Sequence, residues 1–123
     1  MSGQLKGKIM KKFLAVFTIN AEKMTAFNQN PNAQQISIKG IAAWHQWMEE
    51  NKAIILETGG PLSRASRVTT EGIAEFKNNL GGYLVVQAES QAEAAKLFLN
   101  HPSFAIFPGE AVEVMEVLPI PGK

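Results

Sequence analysis

The stretch GGYLVVQAESQAEAAKLFLNHP, residues 81–102, constrains the fold more than any other part of this chain. Gly82–Ala88 is a short run of apolar, partly β-branched residues and predicts a strand. Ser90 stands three residues before Glu93, the spacing of a capping box, so a helix should open there. Ala92, Ala95 and Leu99 form one line along that helix, broadened by Ala94, Leu97 and Phe98. The small alanines let it approach a sheet closely. Pro102 predicts its end, because the residue before a proline avoids the helical region.

The rest of the chain supplies partners for this unit. In KKFLAVFTI, Lys11–Ile19, residues Phe13, Ala15, Phe17 and Ile19 alternate with Leu14, Val16 and Thr18. Both faces are largely apolar, which predicts a central strand covered on both sides. Residues 20–35, rich in Asn and Gln, predict a mobile connection with at most a short helical turn around Ala21–Phe27. Ile38, Ile41, Trp44, His45 and Met48 recur at helical spacing and predict a helix over Ser37–Asn51, with Gly40 weakening its first turn. Ala53–Thr58 predicts a strand, which Gly59-Gly60-Pro61-Leu62 should break with a bulge or bend. Arg64–Thr70 reads as an extended arm, followed by a turn and a variable excursion. Ala111–Ile120 predicts the last strand, closed by Pro119 and Pro121.

The expected order is therefore βαββαβ: a ferredoxin-like α+β fold with two helices on one face of an antiparallel sheet. Its 123 residues suit one domain, 11–123, preceded by a flexible extension over 1–10 that carries Lys6 and Lys8. A sheet with helices on one face leaves its second apolar face uncovered, which predicts a homodimer joined sheet to sheet.

Composition narrows the function classes. A net charge of +1 with dispersed lysines gives no nucleic-acid footprint. The absence of cysteine excludes disulfides, thiolate metal sites and a cysteine nucleophile, and suits a cytoplasmic setting. No apolar run approaches the length of a membrane helix, and the N-terminal lysines precede no signal-peptide core. Nucleotide-binding loops and the GxSxG elbow are absent, and neither histidine sits in HxH, HxxxH or HxxE spacing. No cofactor and no metal site are expected.

Taken together, EGIAEFKNNLGGYLVVQAES, the helix that follows, His101-Pro102 and GEAVEVMEVLPI resemble the YCII-related family, and within it the DGPF branch. Gly81-Gly82-Tyr83, Ser90, Ala94, Pro102 and Glu113 carry the likeness, with Glu71-Gly72, Glu75 and Lys77 matching loosely. The resemblance spans about residues 11–120. It implies a dimeric α+β barrel, two ferredoxin-like units with their sheets packed together, in a family with small-molecule enzymes among its members. Its better-studied branch is associated with a histidine–aspartate acid/base pair. This chain has no aspartate, and His101 stands before Pro102 where the acid would be; the pair is not carried over.

Six residues are the site candidates. His45 is the candidate general base, since imidazole is suited to proton transfer near neutral pH. Trp44 and Met48 would line a cleft beside it, with Trp47 nearer an edge. Arg64 and His101 are candidates for binding an anion, and Glu75 for approaching the cleft from the DGPF-like turn. For each, an ordinary structural role is the competing reading; for His101 that role is a cationic partner of the preceding helix end. Two functions follow: a homodimer binding an organic acid or lactone-like small molecule, with acid/base turnover as its enzymatic form, or a non-enzymatic protein-interaction or regulatory module.

Overall fold

The computed structural model describes residues 9–122. The expected extension over 1–10 therefore lies, apart from Ile9 and Met10, outside the described residues. The elements in chain order are β1 (Lys11–Ile19), α1 (Ala21–Asn28), α2 (Ala33–Glu50), β2 (Ile55–Pro61), β3 (Ala65–Thr69), β4 (Gly72–Phe76), β5 (Leu80–Ala88), α3 (Gln91–Lys96), α4 (Pro102–Ala105) and β6 (Gly109–Glu116). β2, β5, β1 and β6 form one four-stranded sheet in that order, with every pairing antiparallel. This is the ferredoxin-like α+β fold. It carries three additions: α1 between β1 and α2, the separate β3–β4 hairpin between β2 and β5, and the short α4 between α3 and β6.

Strand alternation sorts the sheet into two faces. Phe13, Ala15 and Phe17 of β1 join Leu84, Val86 and Ala88 of β5 in one buried cluster with Ala94 and Phe98. Trp44, Trp47, Leu97, Val112 and Val114 pack against it. Burying a side chain such as Phe13, which is fully enclosed, contributes about 1.5–3 kcal/mol. The opposite face presents Leu14, Val16 and Thr18 with their cross-strand partners Val85, Tyr83, Met115, Glu113 and Ala111. Val16 and Thr18, in the central strand, are buried; Glu113 and Met115, in the edge strand, are exposed.

Several elements depart from expectation. The 20–35 connection is helical: Asn20 caps α1 by accepting from the Lys23 N–H at 3.0 Å. α2 begins four residues earlier than Ser37, at Ala33. Gly40 lies inside it and is buried, because a Cβ there would meet the Phe107 ring at 2.6 Å. The glycine serves close packing. Ser90 does accept from the Glu93 N–H at 3.1 Å, but the Glu93 carboxylate is held by Lys96 at 3.2 Å. α3 ends at Lys96, well before Pro102. Asn100 takes a left-handed φ of 58°, and Pro102 then opens α4 at its first turn. Proline at that position loses no helical hydrogen bond. The excursion after Arg64 is a regular hairpin in which Val68 pairs with Ile73 and Ala65 with Phe76.

Candidate functional site

A cleft of about 470 Å³ opens between α2 and the β2–β5 edge of the sheet. α2 supplies Ile41, Trp44, His45 and Met48 at helical spacing, so one helix face forms one wall. Phe17 and Phe107 close the base. The Trp44 ring lies 5.0 Å from that of Phe17 and 6.3 Å from that of Phe107.

The facing wall is main chain. Gly59-Gly60 of β2 and Gly81-Gly82 of β5 lie side by side, with Pro61 paired to Gly82 and Gly60 to Tyr83. Gly59 has a φ of 61°, and a Cβ there would collide with the Tyr83 carbonyl oxygen. A bulge shifts the β2 register on either side of Glu57. These glycines thus permit a bend, as expected, and keep the wall beside the aromatic base largely main chain, with Thr58 and Pro61 as its side chains.

His45 is exposed at the rim of the cleft and reaches a second, shallower hollow with Glu49 and Lys52. Trp44 and Met48 line the cleft with it, as the helical spacing predicts. Arg64 and Glu75 do not: they lie on the segment after β2 and on β4, away from the lining. Among the described residues, no lysine or arginine lines the cleft.

His101 is fully buried beneath the cleft. Its ring lies 4.7 Å from Trp44 and 4.6 Å from Trp47, with Phe17 at 5.1 Å and Phe98 at 5.8 Å. Nδ1 accepts from the Ser103 N–H at 3.0 Å and so caps α4. The neutral ring therefore carries its proton on Nε2, which has no hydrogen-bond partner among the described residues. Burial drives the pKa down to about 4. The expected cationic role at a helix C-terminus is overturned: His101 is a neutral cap at a helix N-terminus, and it does not line the cleft. Trp47 is likewise no edge residue. It stacks on Phe98 at 5.3 Å and donates from Nε1 to the Leu97 carbonyl at 3.3 Å.

Tyr83 was not among the site candidates, although it stands in the Gly81-Gly82-Tyr83 motif. Its main chain borders the cleft, while strand alternation turns its ring to the opposite sheet face. There its hydroxyl donates to Glu57 at 2.6 Å. That bond to a carboxylate raises the phenol above its ordinary pKa. Phe107 also went unread, because only the fold brings its short loop against Gly40.

Among solved structures, the chain resembles 5-chloro-2-hydroxyhydroquinone dehydrochlorinase (TftG) from Burkholderia phenoliruptrix AC1100, in a complex with 2,5-dihydroxybenzoquinone. The TM-score is 0.51 at 26% identity, covering 85% of this chain and 90% of that one. The likeness supports the α+β barrel superfamily. No family model matches the chain, and no curated protein matches it. Among the described residues, no helix is long and apolar enough to cross a membrane.

Proposed function

We propose that this chain is a YCII-like, DGPF-type protein that works as a homodimer and binds a small planar, oxygenated ring compound in the cleft beside α2. The observation that carries this reading is the lining itself: an aromatic base, a glycine-rich wall flanked by Thr58 and Pro61, and His45 at the rim. A flat ring slides between such surfaces and stacks on indole. With no lysine or arginine in the lining among the described residues, an organic carboxylate is a poorer fit than an uncharged ring or lactone. The dehydrochlorinase likeness supports the same class, since that protein was captured with a dihydroxybenzoquinone.

His45 is the proton acceptor in the enzymatic form of this proposal. Its imidazole takes one proton from the ring compound as a double bond shifts or a leaving group departs, and the imidazolium returns that proton to product or solvent. His101 takes no part in proton transfer; it holds the aromatic base in place through Trp44 and Trp47.

The test is a thermal-shift and titration screen of hydroxylated quinones, hydroquinones and lactones on wild type, Trp44→Ala and His45→Gln. A ring compound should raise the wild-type midpoint, and Trp44→Ala should abolish the rise. His45→Gln should keep binding and lower any turnover by about 100- to 10,000-fold. Binding that survives Trp44→Ala rules out the cleft. Silence across the screen would favour the non-enzymatic interaction module.

A further inference from the structure

The cleft does not end at His45. His45 and Met48 of α2 and Thr58 of β2 border both the cleft and the second hollow, which adds about 350 Å³ to the cleft's 470 Å³. The two spaces meet at these three residues, with α2 on one side and β2 on the other. Their joint size suits a ligand larger than a bare ring.

The two spaces differ in chemistry. Phe17, Trp44 and Phe107 give the cleft its aromatic floor. The hollow is lined by His45, Glu49, Lys52 and Thr58, with Met48 and Ile55 as its apolar members. Glu49 follows His45 by four residues, so it continues the same face of α2, and Lys52 stands just past the helix end.

Lys52 Nζ donates to Glu49 Oε2 at 2.7 Å. An ammonium has three N–H donors, so two are left for other acceptors. The pair has no net charge and is mostly exposed, so water screens its field and direct hydrogen bonding decides what it holds. A carboxylate placed here would gain Lys52 and be repelled by Glu49. A hydroxyl or carbonyl oxygen accepts from Lys52 without that repulsion.

The β2 bulge sets Thr58 opposite. Glu57 turns to the outer sheet face, where it accepts from Tyr83, and the next residue turns toward α2. The Thr58 hydroxyl has no hydrogen-bond partner among the described residues. One donor thus stands on the β2 side of the hollow and one on the α2 side.

We infer that the hollow is a second subsite, which takes an uncharged, oxygen-bearing substituent of the ring compound, with Thr58 and Lys52 donating to its oxygen. The inference rests on the ring-binding reading above and adds the class of substituent to it. The ring lies on the aromatic floor, and its side group passes His45 into the polar hollow.

The experiment is calorimetric titration of hydroquinone, its hydroxymethyl derivative and its carboxylate derivative into wild type, Thr58→Val, Thr58→Ser and Lys52→Met, with circular dichroism as the check on folding. Wild type should bind the hydroxymethyl compound about tenfold more tightly than hydroquinone, and the carboxylate no more tightly than hydroquinone. Thr58→Val and Lys52→Met should each reduce that tenfold preference by about threefold, and Thr58→Ser, which keeps the hydroxyl, should retain it. Equal wild-type affinity for hydroquinone and its hydroxymethyl derivative overturns the second subsite and leaves the ring cleft standing. So does a preference that both Thr58→Val and Lys52→Met leave intact. A carboxylate that binds more tightly than the hydroxymethyl compound overturns the uncharged class. Binding of none of the three overturns the ring reading and this inference together.

Discussion

The nest around His101 and the β3–β4 arm handle apolar surface in opposite ways. In the nest, Phe17, Trp44, Trp47 and Phe98 surround one imidazole within 5.8 Å, and the ring is sealed from solvent. On the arm, Val68 and Ile73 meet each other and little else. The nest is held by side chains that are distant in sequence and close in space. The arm is held by local pairing across a tight turn in which Gly72 adopts a φ of 123°. The difference teaches where packing and exposure separate: the nest fixes the base of the cleft, whereas the arm leaves Val68 and Ile73 uncovered by its own chain.

The largest expected effect lies in the nest. Phe98→Ala should cost about 3–5 kcal/mol in urea denaturation, because it leaves a void among rings that cannot close in. A cost near that of a surface change would mean the nest is loosely packed and the contrast with the arm is false.

Acid should act next, through the nest. The folded His101 pKa of about 4 lies below its ordinary 6.5, so the unfolded chain binds the extra proton between these values. Stability from this group is complete above pH 6.5 and is lost as pH falls toward 4, by about 3 kcal/mol in all. Protonation would also turn Nδ1 from an acceptor into a donor facing the Ser103 N–H. His101→Asn keeps a capping acceptor and removes the titration. Its stability should be nearly flat over that window in a pH series of denaturation curves, apart from the carboxylates common to both proteins.

A smaller effect tests the helix between the two regions. Ser90→Ala removes the acceptor of the Glu93 N–H and should cost about 1 kcal/mol by thermal melting. The smallest belongs to the arm. Val68→Thr and Ile73→Thr should each change the stability of the chain by no more than about 0.5 kcal/mol in urea denaturation. A larger loss would show that the arm packs on the rest of the chain.

Much of the fold was legible because its signals are local. β1 spans the expected Lys11–Ile19, the Ser90 cap forms, and the α2 stripe of Ile41, Trp44, His45 and Met48 becomes one wall of the cleft. The errors cluster where polar sequence gives no period. Asn- and Gln-rich residues 20–35 carry α1 and the first residues of α2, and this stretch contains no fully buried residue, so no apolar stripe announces it. The first strand of the hairpin was read as an extended arm, but its partner was read as a variable excursion, because residues 66–80 are exposed throughout and carry no buried stripe. Of the site candidates, the three on α2 lie together. Arg64 was a candidate for its guanidinium and Glu75 for its place in the DGPF-like turn, and neither is among the residues that line the cleft.

By itself, then, the sequence determined the strands with apolar alternation, the caps, the bend at Gly59-Gly60-Pro61 and the α+β order. These depend on backbone preference and on side chains a few residues apart. Only the tertiary structure decided the state of His101. Its position before Pro102 looks like a helix end, where a charged ring would be favoured; four aromatic rings from β1, α2 and the segment after α3 exclude water and keep it neutral. The same holds for Gly40, whose purpose is a ring sixty-seven positions away. Desolvation and close approach are set by what the fold brings near, and the sequence order of those groups does not reveal it.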